Sequence, residues 1–190
     1  MADFHYRVLV VDDDEQIRKI SGQVLSHHGY EVRTASDGFE ALALLRSAHP
    51  DLIITDLNMP NMSGFELLSI VRRRFPHLPV IAITGEYSTT SAPDVLLADA
   101  LFHKGQYSPV QLFTEIQSLL ERSPIRPHIP KPDKAPVWIP RNGDYIVLTC
   151  TDCLRSFSIS TTEAEDGLKE ISCIFCSITI RFDLEPAPKP

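Results

Sequence analysis

The sequence contains no apolar run close to the roughly 18 residues that a membrane-spanning helix needs. Its first residues, MADFH, lack the basic start and the apolar stretch of a secretory signal peptide. No repeat with a period of 20–50 residues suggests a solenoid. We therefore expect a cytoplasmic protein that has no membrane partner.

Basic residues are scarce as well, with 18 Lys and Arg against 25 Asp and Glu and a formal net charge of −7. The net charge is −6 over residues 1–122, +2 over residues 123–140 and −3 over residues 141–190. Neither acidic part has the basic surface expected of a nucleic-acid-binding domain. Nucleic acid is therefore an unlikely partner on charge alone.

Residues 123–140 differ in composition from the rest of the chain, because six of these 18 residues are proline. Proline favours extended polyproline geometry, which predicts a linker between two domains. An ordered arm is the alternative, since Val137, Trp138 and Ile139 are apolar enough to dock on a neighbour. The proline-rich tail 186–190 is expected to be disordered.

Two short apolar runs in the first part end in acidic residues. Residues 7–11 precede Asp12, Asp13 and Asp14, and residues 52–55 precede Asp56. Such runs are typical of strands buried in a parallel sheet, whose ligands bind beyond the carboxyl ends of the strands. Converging carboxylates predict a Mg²⁺ site, and an aspartate can also accept a phosphoryl group. The alternative is that these acids cap helices, with Asp13 or Asp14 as the candidate N-cap.

Two further apolar runs end in other polar groups. Residues 79–83 precede Thr84, and residues 100–103 precede Lys104. A hydroxyl and an ammonium group beside a carboxylate cluster are suited to holding a phosphoryl group. Strand patterns near 7–11, 30–34, 52–55, 79–83 and 100–103 alternate with helical patterns near 15–28, 37–48, 63–75, 93–99 and 107–121. This alternation predicts an α/β fold, a flavodoxin-like, doubly wound, five-stranded parallel sheet.

The strings VLVVDDDEQIR (8–18), DLIITDLNMPNMSGFELL (51–68), IAITGE (81–86) and LFHKG (101–105) resemble the receiver domain of bacterial two-component response regulators. The resemblance implies that Asp56 is phosphorylated by a histidine kinase, a phosphotransfer protein or a small phosphodonor. It implies that Thr84 and Lys104 contact the phosphoryl group. It also implies Mg²⁺ at Asp12, Asp13, Asp56 and the Asn58 carbonyl.

The chain departs from that family at two positions near Lys104. Gly105 stands where the family usually has a cis proline, and Leu101 stands where it usually has a switch aromatic residue, with Phe102 one place late. These departures favour an alternative, in which the receiver is a constitutive scaffold and the C-terminal module is the main binding element for protein or nucleic acid.

All four cysteines lie in the last 50 residues, with the spacing C-x₂-C-x₁₉-C-x₂-C at Cys150, Cys153, Cys173 and Cys176. This spacing is typical of zinc sites, and each pair lies between strand-like segments. It resembles a zinc ribbon, which adds a small β-rich domain. Iron in a rubredoxin-like site and a thiol redox switch are the alternatives.

Together these patterns predict a receiver domain over 1–122, a linker over 123–140, a zinc-ribbon-like domain over 141–185 and a tail over 186–190. We expect a response regulator in phosphorelay signal transduction and not a conventional enzyme, since its chemistry would be limited to self-phosphotransfer and autodephosphorylation. The partners would be a histidine kinase or phosphotransfer protein, an output protein of unknown identity and, in a homodimer, a second copy.

Overall fold

The computed structural model of the chain describes residues 5–85, 97–122, 141–142, 145–160 and 167–184. The first part forms one parallel sheet in the order β2-β1-β3-β4-β5. Its strands are β1 (Arg7–Val11), β2 (Glu31–Ala35), β3 (Leu52–Asp56), β4 (Val80–Thr84) and β5 (Ala100–His103). The central strand β3 is buried along its whole length, as its apolar sequence predicts.

Helices cover both faces of this sheet. They are α1 (Glu15–His27), α2 (Gly38–Ser47), α3 (Gly64–Arg74) and α4 (Pro109–Arg122). Successive side chains of a strand point to opposite faces. Accordingly Leu9 and Ile53 pack with α2 and α3, whereas Val8 and Leu52 pack with α1 and α4. The flavodoxin-like doubly wound fold is therefore confirmed.

The predicted elements of this sheet agree with the structure to within one or two residues, with one difference. Residues 97–99, at the end of the predicted helix 93–99, form a bend that leads into β5. The remainder of that helix, the linker 123–140 and the tail 186–190 lie outside the described residues.

The C-terminal part is β-rich, as predicted. Three antiparallel strands, β6 (Arg141–Asn142), β7 (Tyr145–Thr149) and β8 (Ser156–Ser160), form one sheet, and β9 (Gly167–Ser172) pairs with β10 (Thr179–Leu184) in another. Ile146, Leu148, Phe157, Ile180 and Phe182 form a small core together with Cys150, Cys153 and Cys173. This core joins the two sheets.

One turn of the β-rich part contacts the first part directly. Leu154, between β7 and β8, is buried in the cluster that α2 and α3 form on their face of the parallel sheet. Its carbonyl accepts a hydrogen bond of 2.8 Å from Arg46 Nη1, at the end of α2. The two parts therefore share apolar and polar contacts.

Candidate functional site

The register of the parallel sheet brings two of the predicted acidic residues together. Val11, the last residue of β1, pairs with Thr55 of β3. Asp12 and Asp56 are the next residues along the chain, so both lie at the same edge of the sheet. Both side chains are buried. One oxygen from each of Asp12, Asp13 and Asp56 lies within 4.8 Å of the others, with Asp13 exposed at the mouth of the site.

Lys104 connects the two buried carboxylates from the end of β5. Its Nζ lies 3.0 Å from Asp12 Oδ2 and 2.5 Å from Asp56 Oδ2. Burial alone would lower the pKa of Lys104, but the bonds to Asp56 and Asp12 outweigh it and raise the pKa above its usual value. The ammonium group is therefore charged and neutralises part of the acidic cluster.

Asp12 lies in an environment that is unfavourable for a charged carboxylate. Burial raises the pKa of its carboxyl, although the Asp14 N–H and Lys104 counteract this effect, and the negative charge of Asp56 raises the pKa further. One ammonium group does not balance two buried carboxylates and an adjacent third. The site consequently favours an additional cation.

Thr84 provides an independent indication of a ligand. Among the residues that the structure describes, Thr84 Oγ1 is the single buried side-chain oxygen that has no hydrogen-bond partner. The residue is fully buried at the end of β4, and its carbonyl accepts a hydrogen bond of 2.8 Å from the Lys104 N–H. A buried hydroxyl without a hydrogen-bond partner lowers the stability of the fold. The presence of such a hydroxyl beside Lys104 is therefore consistent with a ligand that binds there and accepts its hydrogen bond.

The loop after β3 fixes the orientation of Asp56. Asp56 Oδ1 accepts a hydrogen bond of 3.1 Å from the Asn58 N–H, and the Thr55 hydroxyl donates to the Asp56 carbonyl at 2.8 Å. Gly64 allows this loop to close, because a Cβ atom there would lie 2.0 Å from the Asp56 carbonyl oxygen. Ser63 and Glu66 then start α3 with a reciprocal capping box.

The three consecutive aspartates have different structural roles. Asp14 is the N-cap of α1, since its side chain accepts hydrogen bonds from the Gln16 and Ile17 N–H groups. The helix-cap interpretation is therefore correct for Asp14, whereas Asp12 and Asp13 belong to the acidic cluster. The coordination of a metal by these two residues, by Asp56 and by the Asn58 carbonyl stays a prediction.

The donor set at this edge fits Mg²⁺. Mg²⁺ prefers one or two carboxylates together with water and phosphate oxygens. Here carboxylate oxygens meet in a partly buried site, and the unpartnered Thr84 hydroxyl and the Lys104 ammonium group are available for a phosphate group beside them.

The departures near Lys104 have clear structural consequences. Gly105 has φ of +78°, which proline, restricted to φ near −65°, cannot adopt. Leu101 and Phe102 point to opposite faces of β5: Leu101 packs on the side of α2 and α3, and Phe102 on the side of α1 and α4. The aromatic side chain therefore cannot replace Leu101 by a simple shift of one position.

Sequence reasoning missed Tyr107 as a neighbour of the acidic cluster. Its ring lies 5.1 Å from that of Phe102, and burial raises the pKa of its hydroxyl. Tyr107 lines a cleft of about 290 Å³ together with Asp12, Lys104 and the side chains of α1. The sequence signal that could have identified Tyr107 is its position as an aromatic residue just after Lys104 and Gly105.

The four cysteines form a second cluster, as their spacing predicts. Cys150 Sγ lies 3.6 Å from Cys176 Sγ, and Cys153 Sγ lies 3.8 Å from Cys173 Sγ. Disulfides require about 2.05 Å between sulfur atoms, and all four cysteines are free. A tetrahedron with Zn–S bonds of about 2.3 Å has sulfur atoms about 3.8 Å apart. The sulfur positions therefore fit a tetrahedral thiolate site.

The protonation of these thiols depends on burial and on backbone N–H groups. Burial raises the pKa of Cys150 to about 12, although the N–H groups of Cys153 and Asp152 counteract it. At Cys173 burial acts in the same direction, but hydrogen bonds from the Phe175 and Cys176 N–H groups lower the pKa to about 7. N–H groups directed at sulfur favour thiolates, the form that binds a metal.

The fold and the first cluster define a class of protein, namely a flavodoxin-like α/β domain with an acidic site at the carboxyl edge of its sheet. The profile of the family described as "Response regulator receiver domain" matches residues 8–103. The chain belongs to this family, which acts in phosphorelay signalling.

Relatives and solved structures agree with this assignment. The "Probable transcriptional regulator ycf27" of Cyanophora paradoxa is 38% identical over 119 residues, which are 62% of this chain and 49% of that protein. The "Response regulator MprA" of Mycobacterium sp. (strain KMS) is 29% identical over 163 residues, which are 83% of this chain and 68% of that protein. The chain thus spans about half the length of the first relative and about two thirds of the second.

Among solved structures, a CheY-like receiver domain protein from Methanospirillum hungatei JF-1 has a TM-score of 0.58 at 30% identity. The match covers 64% of this chain and 98% of that one. The chemotaxis response regulator CheY4 of Vibrio cholerae has a TM-score of 0.56 at 36% identity, covering 61% and 99%. The similarity therefore lies in the receiver domain.

Proposed function

We propose that this protein is switched by phosphorylation of Asp56, with a histidine kinase or a phosphotransfer protein as the donor. The observation that carries the proposal is the arrangement around Asp56: Lys104 contacts its carboxylate at 2.5 Å, and the buried Thr84 hydroxyl nearby lacks a partner. Catalysis of phosphoryl transfer consists mostly of positioning and charge neutralisation, which these groups provide.

In the proposed reaction an Asp56 carboxylate oxygen attacks the phosphorus atom of a phosphohistidine. The new P–O bond forms as the P–N bond breaks, and the donor imidazole leaves with the electron pair. Lys104 moves from the carboxylate to a phosphoryl oxygen, and the Thr84 hydroxyl donates a hydrogen bond to another. Asp12, Asp13, Asp56 and the Asn58 carbonyl would hold Mg²⁺, which would supply the positive charge that phosphoryl transfer requires.

Hydrolysis of the acyl phosphate by water resets the site. Self-phosphotransfer and this autodephosphorylation would be the extent of its catalysis. Asp13 and the neighbouring cleft leave the acidic edge accessible from solvent, which supports entry of both the donor and water.

Intact-mass measurement after incubation with acetyl phosphate and Mg²⁺ tests this proposal. We expect one added phosphoryl group on the wild-type protein and none on Asp56→Asn. Asp14→Asn is the matched control, because asparagine also caps helices well and Asp14 belongs to the same acidic string. Equal labelling of Asp56→Asn and the wild-type protein would contradict the proposal.

We further propose that Cys150, Cys153, Cys173 and Cys176 hold one structural Zn²⁺. The tetrahedral sulfur spacing and the N–H groups directed at Cys150 and Cys173 support this assignment. Four protein ligands leave no position for substrate, so the zinc would stabilise the fold. Native mass spectrometry should show one zinc, absent after Cys173→Ser; bound iron, or disulfides in the freshly purified protein, would favour the alternatives.

A constitutive scaffold is the second candidate function, favoured by Leu101 and by the backbone of Gly105. The scaffold and the switch can be distinguished by comparing the binding partners that are recovered with the wild-type protein and with Asp56→Ala, each with and without phosphodonor. Switching predicts that phosphodonor changes the recovered set for the wild-type protein alone. A scaffold predicts the same set in every sample, whether the partner is a protein or a nucleic acid.

Cellular location and homodimer formation are two further expectations. None of the helices in the described parts of the chain is long and apolar enough to cross a membrane. A cytoplasmic location remains a prediction, and so does a phosphorylation-dependent homodimer, which size-exclusion chromatography with light scattering would detect as a doubled mass after phosphodonor is added.

A further inference from the structure

The two cysteine turns share one backbone design, but different residues follow their second cysteines, Leu154 in the first turn and Ser177 in the second. In the first turn the Leu154 N–H donates to the Cys150 carbonyl at 2.9 Å; in the second the Ser177 N–H donates to the Cys173 carbonyl at the same distance. Leu154 has φ of +55° and Ser177 has φ of +61°. Both residues thus occupy the left-handed position of their turn.

Leucine is an unfavourable residue at such a position. Left-handed backbone brings Cβ close to the following carbonyl, and glycine is the residue that adopts it without strain. The metal site does not require leucine there, because Ser177 fills the equivalent position with a small exposed side chain. The presence of Leu154 therefore needs another physical reason.

The contacts of Leu154 supply that reason. Its side chain is 3% exposed and belongs to the buried cluster of the parallel sheet, together with Ala41, Leu42 and Leu45 of α2. Its carbonyl is bound by Arg46 at the end of the same helix. One residue thus makes an apolar and a polar contact with the receiver.

We propose that the first cysteine turn is an intramolecular docking element, in which Leu154 anchors the β-rich module on α2 of the receiver and the metal centre keeps this anchor in position. The role of the metal rests on the proposed zinc site, whereas the docking contact does not. Burial of the leucine side chain on α2 offsets the strain of its backbone.

Helix α2 also connects the contact with Leu154 to the loop that follows Asp56. At the start of this helix the Gly38 N–H donates to the Met62 carbonyl at 3.2 Å, and Asp37 accepts a hydrogen bond of 2.9 Å from Asn61. Met62 and Asn61 belong to the loop that follows Asp56. One short helix therefore contacts the acceptor loop at one end and the cysteine turn at the other.

Hydrogen–deuterium exchange of the full-length protein tests the dock, with zinc content measured in each sample. Leu154→Gly removes the anchor but suits the left-handed backbone, so zinc content should be unchanged while exchange at the end of α2 becomes severalfold faster. Ser177→Gly is the matched control and should leave α2 unchanged. Arg46→Ala, which does not alter the turn, should shift α2 in the same direction by less.

Three results would overturn the dock. One is unchanged exchange in α2 when Leu154→Gly keeps its zinc. Another is loss of zinc from both Leu154→Gly and Leu154→Asn, which would make the leucine part of the metal site and not an anchor. A third is protection of α2 that rises with protein concentration, which would place the contact between two copies.

Chelation of the metal from the wild-type protein tests the second half of the proposal. We expect exchange in α2 to approach that of Leu154→Gly, and unchanged protection after complete metal removal would overturn the role of the metal in the dock. If the purified protein contained no metal, only the proposed zinc site would be contradicted. The contact of Leu154 with α2 would still be tested by comparing Leu154→Gly with Ser177→Gly.

Discussion

At the scale of single residues, two buried threonines at the acceptor edge of the sheet differ in one respect. Thr55 donates its hydroxyl hydrogen to the Asp56 carbonyl, whereas Thr84 has no partner for its hydroxyl. A hydrogen bond of this kind contributes about 1 kcal/mol, and an unsatisfied buried hydroxyl costs a similar amount. The difference separates a residue kept for stability from one kept for function.

Substitution by valine should therefore have opposite effects at these two positions. Without Mg²⁺ or phosphodonor, Thr84→Val should raise the free energy of unfolding by about 1 kcal/mol, and Thr55→Val should lower it by about 1 kcal/mol. Urea unfolding measures both. A loss of stability in Thr84→Val would show that the hydroxyl has a partner in solution.

Glycine 64 is the residue on which the acceptor loop depends most directly. A Cβ atom there meets the backbone of Asp56, which no side-chain rotation can relieve. We expect Gly64→Ala to lower the free energy of unfolding by more than about 2 kcal/mol and to slow labelling by acetyl phosphate.

Gly22 in α1 is the matched control for that substitution, since a Cβ atom there makes an ordinary contact of 3.9 Å with Thr34. Gly22→Ala should stabilise the protein by about 0.5–1 kcal/mol, as expected in a helix interior. Similar urea midpoints for the two variants would contradict the steric argument.

At the scale of secondary-structure elements, the start of α3 contains a buried titratable group. Glu66 accepts hydrogen bonds from the Ser63 N–H and hydroxyl, yet burial raises the pKa of its carboxyl above the ordinary 4.5. The folded protein then holds this proton more tightly than the unfolded chain. Its contribution to stability is greatest below pH 4.5 and falls as the pH rises through the raised pKa.

Glu66→Gln keeps an amide oxygen for the capping box but removes the charge. Relative to the wild-type protein, we expect this variant to gain stability at neutral pH and to lose that advantage below about pH 4.5. Urea unfolding across this range measures the difference. An advantage that is independent of pH would contradict the assigned shift.

The protonation of the cysteine thiols predicts that zinc binding depends on pH. Zinc binds thiolates, and burial holds the pKa of Cys150 at about 12, so metal binding must displace protons. Acidification should therefore release zinc, which a colorimetric zinc indicator detects, and the β-rich module should unfold as the metal leaves. Retention of native β-sheet circular dichroism in the metal-free module would contradict a structural role for the metal.

Most elements of the parallel sheet were predictable because local signals specify them. The run 7–11 and the run 52–55 are apolar and β-branched and end in acid, and Asp14 is a suitable N-cap for α1. The strand ends fix which side chains meet, so the acidic cluster could be inferred from pattern alone. Which of the consecutive aspartates caps α1 could not be decided from the sequence, because it depends on where the helix begins in the structure.

Contacts between distant segments could not be predicted in this way. Nothing in the local sequence of Leu154 indicates that it contacts the receiver. Arg46 of α2, which binds its carbonyl, lies 108 residues earlier in the chain. The reason for a leucine at this left-handed position depends on tertiary packing. The unpartnered Thr84 hydroxyl is likewise a property of the folded interior.

At the scale of the whole molecule, the protein combines two chemically separate clusters, one of carboxylate oxygen atoms and one of cysteine sulfur atoms. A hard cation such as Mg²⁺ prefers the first and zinc prefers the second. We therefore expect removal of zinc by a soft chelator to leave labelling by acetyl phosphate with Mg²⁺ within about twofold of its original rate, since Asp56 and Thr84 belong to the parallel sheet and Lys104 directly follows its strand β5. Loss of labelling after zinc removal would show that the receiver needs the β-rich module to fold.

The central claim is that Asp56 accepts the phosphoryl group, and chemical localisation of that group tests it most directly. Borohydride reduces an acyl phosphate of aspartate to homoserine, which peptide mass spectrometry identifies by position. After labelling of the wild-type protein, we predict homoserine at position 56 and intact aspartate at Asp12 and Asp13. A labelled protein in which Asp56 remains unreduced, or in which homoserine stands at another position, would contradict the account.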